Sequence, residues 1–423
     1  MLQLKFVAEN PDFVIERLAV KGFDAKDIVG KIVELDKEKR KLQHEIENLK
    51  AKQNKIAKEI GLLFKQGKKE EAEQARKEST ELKERIKELE KSFEPLEKQI
   101  FDLLVKLPNL PHESVIPGGA ENNQVIKEGG EKPVFDFEPL PHWELAEKYK
   151  LIDFETGTKL TGSGFPLYVG LGARFERALI WFFLDKAREA GFTEYIPPFM
   201  VNEATAFATG QLPDKEGQMY HADLDNLYLI PTAEVPLTNI YRDALLEEEQ
   251  LPVKMTAYTP CFRREAGSYG KDVRGLNRVH QFDKVEIVQI TKPDNSYEVL
   301  DQMVEYVESL VKDLELPYRI VRLSGGDMSF TSALTFDFEV YSAAQDKWLE
   351  VSSVSNFETF QSNRLKLRYR PKGEKKTVLA HTLNGSALAL PRIVAALLEN
   401  NQTKDGIKVP EVLVPYFGYD IIK

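Results

Sequence analysis

The sequence predicts an α+β protein made of two unlike parts: a long N-terminal helical hairpin, and a larger domain that mixes strands with amphipathic helices. Three observations predict it. Apolar residues recur with a heptad period from Ile28 to Leu103, interrupted near Gly67. A Pro- and Gly-rich stretch follows. Beyond it helical and strand patterns alternate, and between Pro260 and Glu286 two apolar runs flank a long charged loop.

With 423 residues, 42% hydrophobic and 10% aromatic, the chain can bury two or three globular cores. It has no run of eighteen apolar residues, and Met1 to Gly22 carries Glu9, Asp12 and Glu16 where a secretory signal needs an apolar segment. A cytoplasmic protein without a membrane segment is expected. Cys261 is the only cysteine, so neither an internal disulfide nor a cysteine zinc cluster can form. The histidines, His44, His112, His142, His221, His280 and His381, lack metal-ligand spacing.

Residues 1–106 are expected to form the first domain. Asn10, Pro11 and Asp12 read as a helix start, with Phe6, Phe13, Ile15 and Leu18 as the apolar positions of a small cap. The seam then runs through Ile28, Ile32, Leu35, Leu42, Ile46, Leu49, Ile56, Ile60 and Leu63, broken only by Lys39 and Gln53. After Gln66, Gly67 and Lys68 it resumes at Ala75, Leu82, Ile86, Leu89, Phe93, Leu96, Ile100 and Leu103, with Ser79 as the polar exception. The pattern predicts an antiparallel coiled coil about 50 Å long that turns at Gly67.

The formal charge of -10 would argue against a nucleic-acid partner. Local charge decides instead, because phosphate binding needs only a basic patch at the contact. Lys50, Lys52, Lys55, Lys58, Lys65, Lys68 and Lys69 face Glu59 alone over that stretch. Most coiled coils are dimerisation rods or spacers. A hairpin that satisfies its own seam needs no partner helix, so the exposed lysine face becomes the candidate functional surface.

The stretch 107–140 holds Pro108, Pro111, Pro117, Gly118, Gly119, Gly129, Gly130 and Pro133 and is expected to be a linker, with the second domain over 141–423. There, Ala173 to Ala190 has apolar residues at Phe175, Leu179, Phe182 and Phe183 and stops at Gly191, as an amphipathic helix does. Phe192 to Met200 reads as a strand closed by Pro197 and Pro198. Tyr258, Pro260 and Phe262 lead to a loop with Arg263, Arg264, Lys271, Arg274 and Arg278, and glycines Gly267, Gly270 and Gly275 that let backbone approach a ligand. Such a loop suits a polyanion. On an extended strand Arg263 and Glu265 would share a side, as would Phe282 and Glu286 on the return strand.

Phe262, Arg263, Glu265, Ala266, Gly267 and Ser268, then Arg274, Gly275, His280, Gln281, Phe282 and Glu286, resemble motif 2 of a class II aminoacyl-tRNA synthetase in the form of bacterial-type seryl-tRNA synthetases. The helix and strand around Phe175 to Met200 resemble motif 1, which builds the dimer interface. Thr232, Ala233 and Glu234 resemble the Thr-x-Glu of the seryl pocket, though alone this is a turn or helix cap. Glu350, Val351, Ser352 and Ser353 resemble the Glu-x-Ser-Ser element that holds ATP and Mg²⁺. Leu383 to Arg392, with Asn384 and Ser386, resembles motif 3; Ala387 and Ala389 stand where the general class II pattern has glycine.

The resemblance implies an antiparallel-sheet catalytic domain flanked by helices, working as a homodimer. It implies activation of L-serine with ATP to seryl-adenylate and transfer to the 3′ end of tRNA(Ser), and of tRNA(Sec) as well. The chemistry needs cations around phosphate oxygens and no nucleophilic side chain. Arg263, Glu286 and Arg392 are the implied catalytic residues. ATP falls to Arg263, Arg264, Glu265, Val279, Phe282, Glu350, Val351, Ser352, Ser353 and Arg392, with Mg²⁺ on Glu350 and Ser353. Serine falls to Thr232, Ala233, Glu234, Arg263, Glu286, Asn384 and Ser386, and tRNA to Lys50, Lys52, Lys55, Lys58 and Lys65. Two rivals are a ligase that loads an amino acid onto a protein carrier and a non-catalytic coiled-coil RNA-binding module. The basic hairpin speaks against the first, and the joint presence of Arg263, Glu286, Glu350 and Arg392 against the second.

Overall fold

The computed structural model describes residues 1–214, 216–266 and 274–423. Gly267, Ser268, Gly270, Lys271 and Asp272, part of the charged loop above, lie outside the described residues. The chain divides into two compact units, Met1–Pro108 and Asn109–Lys423. Among the described residues no helix is long and apolar enough to cross a membrane.

The first unit is a helical hairpin of α1 (Lys26–Lys65) and α2 (Lys69–Leu104). Gly67 turns the chain at φ +74°, a conformation open to glycine at no steric cost. Ile46, Ile86 and Leu89 form a buried cluster with Leu42, Leu49 and Phe93 packed against it. The pairs Lys39–Glu97 and Lys52–Glu78, both 2.7 Å, rise along one helix as they fall along the other, which fixes the antiparallel sense. The polar breaks in the seam find partners. The Lys39 ammonium reaches Glu97 and stands 5.3 Å from the Phe93 ring centroid, while Gln53 Nε2 donates to the Ser79 carbonyl at 3.5 Å.

Before the hairpin lie short helices Leu4–Glu9 and Pro11–Val20, the second opening on proline as expected. The cap packs differently from the expectation. Val7, Val14 and Leu18 are buried, whereas Phe6 and Phe13 remain 40% and 50% exposed and meet edge to face. A helix this short buries one stripe, and Val14 rather than Phe13 falls in line with Leu18.

The second unit is built on an eight-stranded sheet. In chain order its strands are β1 (Gln124–Gly129), β2 (Thr193–Glu194), β3 (Val253–Phe262), β4 (Gln281–Thr291), β5 (Tyr318–Arg322), β6 (Leu334–Ser342), β7 (Lys347–Asn356) and β8 (His381–Ala389). They lie in the order β1-β5-β6-β7-β8-β4-β3-β2, antiparallel except for the β2–β3 edge pair. Helix α3 (Leu171–Glu189) packs on β3 and β4, α4 (Ser296–Asp313) on β7 and β8, and α5 (Leu390–Asn400) on β4, β6 and β7. Central β4 is buried from Lys284 to Thr291, so its polar residues Lys284, Glu286, Gln289 and Thr291 are enclosed rather than turned to solvent.

Two stretches differ from expectation. The expected linker contains β1, which pairs with β5 as the outer strand of the sheet; the prolines and glycines around it hide a six-residue strand. Phe192 to Met200 is not one strand, since Pro197 and Pro198 interrupt pairing and leave only Thr193–Glu194 and Met200–Asn202.

Candidate active site

A cavity of about 540 Å³ opens over the middle of the sheet. Strands β3 and β4 pair from Val253–Ile290 to Phe262–Gln281, and beyond that register the Arg263 amide still donates to the His280 carbonyl at 2.9 Å. The arginine therefore leaves the strand end directed over β4. Its guanidinium carbon stands 5.3 Å from the Phe282 ring centroid, and its Nε donates to the Pro231 carbonyl at 3.4 Å. Arg263 and Glu265 do not share an extended strand face. The strand ends at Phe262 and Glu265 has φ +48°, yet both side chains line the cavity, because Arg278 reaches back to hold Glu265 at 2.9 Å.

Opposite Phe338 and Glu339 of β6, strand β7 carries one extra residue, leaving Val351 without a partner. This bulge brings Glu350 and Ser353, three apart in sequence, to one side with their oxygens 3.5 Å apart. Arg392, on the first turn of α5, donates from Nη1 to the Glu350 carbonyl at 2.7 Å and from Nε to the Asn277 carbonyl at 3.2 Å. Its guanidinium also lies 3.7 Å from the Glu350 carboxylate. Val279, Val351 and Ser352 complete this end, with Ser352 Oγ donating to the Ser386 carbonyl at 2.6 Å. Beneath Ser353, burial and the Glu350 charge push the Asp337 carboxyl well above the usual range, and one of its oxygens has no hydrogen-bond partner.

The other end is dry. Glu286 is fully enclosed, accepting from Asn384 Nδ2 at 2.9 Å and Ser386 Oγ at 3.3 Å, with the Lys284 ammonium 2.7 Å away. Glu234 is 6% exposed and takes 2.6 Å from Gln361 Nε2, whose amide oxygen accepts from Thr382. Burial, then the neighbouring Glu286 charge, pushes the Glu234 carboxyl up to about 7. Thr232 Oγ1 accepts from the Glu234 amide at 3.3 Å, fixing the turn that presents both side chains.

Of the expected residues, Arg263, Glu265, Val279, Phe282, Glu350, Val351, Ser352, Ser353, Arg392, Thr232, Glu234, Asn384 and Ser386 line the cavity together. Glu286 lies directly behind this lining. Arg264 and Ala233 do not line it: Arg264 stands over the Tyr220 ring at 5.6 Å, and Ala233 is packed in the core. Sequence reasoning missed Lys284, although its place midway between Phe282 and Glu286 on one strand face was a usable signal. It also missed Gln361 and Asp337, which no local pattern marks.

Behind the cavity a buried carboxylate gathers separate stretches. Glu399 on α5 accepts from His142 Nδ1 at 2.7 Å, the His142 amide at 3.0 Å, Gln345 Nε2 at 2.9 Å, and Ser342 Oγ. The far ring nitrogen of His142 accepts from the Leu276 amide at 2.8 Å, so the imidazole carries its hydrogen on Nδ1 and anchors the returning charged loop. Next to it Gly275 has φ +66°, and a Cβ there would stand 2.2 Å from His142 Nε2.

In the first unit Lys50, Lys52, Lys55, Lys58 and Lys65 are all exposed on α1. Lys50 and Lys52 form 2.7 Å ion pairs with Glu90 and Glu78 of α2. Lys55, Lys58 and Lys65 make no ion pair among the described residues. The basic cluster is thus narrower than one helix read alone suggests.

Residues 1–111 match the seryl-tRNA synthetase N-terminal domain, and residues 219–401 the tRNA synthetase class II core domain (G, H, P, S and T). The serine--tRNA ligase of Salinibacter ruber is 51% identical over 421 residues, 99% of this chain and 98% of that one. The crystal structure of seryl-tRNA synthetase from Pyrococcus horikoshii complexed with ATP is 36% identical and superposes with a TM-score of 0.93, covering 100% of this chain and 99% of that one. The cytoplasmic serine-tRNA ligase from Naegleria fowleri in complex with AMP is 28% identical, with a TM-score of 0.89 and coverage of 100% and 99%. With likeness over its whole length, the chain belongs to the class II seryl-tRNA synthetase family.

Proposed function

We propose that this protein is an ATP-dependent serine--tRNA ligase that forms seryl-adenylate and transfers the seryl group to the 3′ end of tRNA(Ser), with tRNA(Sec) as a second acceptor. The observation that carries the reading is the unlike chemistry of the two cavity ends: Arg263, Phe282, Glu350 and Arg392 at one, the enclosed Glu286 and Glu234 at the other. In the first step a serine carboxylate oxygen attacks the α-phosphate of ATP and pyrophosphate leaves. In the second, a hydroxyl of the tRNA 3′ end attacks the seryl carbonyl and AMP leaves.

Phe282 offers a plate for adenine, Arg263 binds the α-phosphate and the serine carboxylate, and Arg392 takes the γ-phosphate. Positioned guanidinium groups of this kind act on charge as it develops. Glu350 and Ser353 supply hard oxygens 3.5 Å apart, a pair that fits Mg²⁺ when phosphates and water complete its shell. The ion would neutralise phosphate charge. Glu234 and Glu286 receive the ammonium and hydroxyl of serine beside Thr232, Asn384 and Ser386. A site built to hydrogen-bond a hydroxyl rejects the analogue lacking it far better than an apolar pocket rejects a missing methylene.

The exposed lysines of α1 offer phosphate contacts along a shape-read RNA helix. Exposed Trp181 on α3 and Ile196, Phe199 and Met200 after it supply an apolar face for a second copy of the chain. The cytoplasm is the expected compartment. The decisive experiment is ATP–pyrophosphate exchange over a panel of amino acids, followed by charging of tRNA(Ser). Serine should drive exchange while alanine and threonine do not; exchange with threonine comparable to serine, or none with serine, overturns the reading.

A further inference from the structure

Phe282, Lys284 and Glu286 alternate along β4 and so share one face, with about 7 Å between successive positions. A cation therefore stands between the aromatic plate and the enclosed carboxylate. Lys284 is 4% exposed, lines the cavity, and holds its ammonium 2.7 Å from Glu286 Oε2. A lysine is almost never this buried without a partner.

The two carboxylates of the dry end are held differently. Glu234 receives a neutral amide from Gln361 at 2.6 Å, whereas Glu286 receives a cation together with Asn384 and Ser386. The charged or titratable groups facing this pair are Glu234, Arg263 and the buried thiol of Cys261. Two carboxylates in one dry site cannot both ionise without compensation. Arg263 is committed toward Pro231 and the Phe282 ring, which leaves Lys284 as the compensating charge for Glu286.

We propose that Lys284 is a positioning residue for the amino-acid substrate: it fixes the charge and direction of Glu286, and through it the selectivity of the dry end for a hydroxylated amino acid. The inference rests on the reading that this end of the cavity takes the amino acid.

The test compares full-length wild type with Lys284→Met, Lys284→Arg, Glu286→Gln and the double variant Lys284→Met/Glu286→Gln in serine-dependent pyrophosphate exchange. Calorimetric binding of ATP alone reports the integrity of the other end. Removing one member of a buried ion pair leaves the other uncompensated, so Lys284→Met should raise the serine KM about 10²-fold and lower the serine-to-alanine preference. ATP affinity should stay within about twofold, and Lys284→Arg should recover part of the loss. In the Glu286→Gln background, losing Lys284 should change the serine KM by no more than about twofold, because the lysine acts through the carboxylate.

An unchanged serine KM in Lys284→Met, or an equal loss of ATP and serine affinity, overturns the proposal. If Lys284→Met does not fold, the double variant, which removes both charges of the Lys284–Glu286 pair, decides against Glu286→Gln alone: a further tenfold loss overturns it. Wild-type protein that shows no serine-dependent exchange overturns instead the reading of the cavity itself.

Discussion

The two ends of the cavity are built on opposite principles. At the end proposed for the nucleotide Glu350 is half exposed and Arg392 about a quarter exposed; Arg392 donates to two backbone carbonyls, and the Glu350 carboxylate meets Ser353 and Arg392. At the end proposed for the amino acid Glu286 is sealed and Glu234 nearly so, and the hydrogen bonds and ion pair on their carboxylates come from side chains. The difference teaches where selectivity has to reside. Phosphate charge can be met by cations in a wet site, but telling serine from alanine requires groups whose unmet hydrogen bonds are costly, and that cost exists only where water is excluded.

The largest expected effect is at the meeting point. Arg263→Ala should slow serine-dependent exchange by about 10² to 10³, with the far-UV spectrum unchanged. Wild-type kinetics would place α-phosphate binding elsewhere. Next is a pH effect confined to the dry end. Glu234 is pushed up to about 7, so protonation below that pH removes an anion the ammonium needs, and the serine KM should rise by up to about tenfold per pH unit. The ATP KM should stay flat over the same range, and Glu234→Gln should abolish the slope; a serine KM flat from pH 6 to 8 would break the contrast.

Stability runs the other way. Because the folded carboxyl titrates above its ordinary 4.5, its contribution is fully present below that value and is lost as pH rises toward about 7. Thermal melts in the presence and absence of Glu234→Gln should show this sign. The smallest effect concerns the hairpin, the wettest region of all. Replacing Lys55, Lys58 and Lys65 by glutamine should flatten the salt dependence of tRNA binding by roughly two to three in the log–log slope. Replacing Lys50 and Lys52, already paired with Glu90 and Glu78, should change it less. Equal slopes for the two variants would mean that the acidic partners let go on binding.

The hairpin was readable because a seam needs only a period, and period is a property of sequence. Even its polar breaks, Gln53 and Ser79, meet across it. The strands β3 and β4 and the helix α3 were equally legible from their apolar runs. What stayed hidden depends on register. The bulge at Val351 decides that Glu350 and Ser353 share a face, and a left-handed backbone at Glu265 decides that it reaches the cavity without being on a strand. Neither leaves a mark in residue order. Lys284 was overlooked for a different reason: a lysine in an apolar strand reads as an outward-facing charge until its neighbour's burial is known.

Glu399 has a consequence for reading genetic variation. It touches none of the cavity-lining residues directly, yet its two oxygens tie helix α5, the end of β6 and the segment bearing His142, which in turn grips the loop at Leu276. A substitution there would register in a growth screen as an inactive enzyme and be filed with lesions of the chemistry. The molecule itself would be failing as a joint does, its reacting groups intact and merely out of alignment.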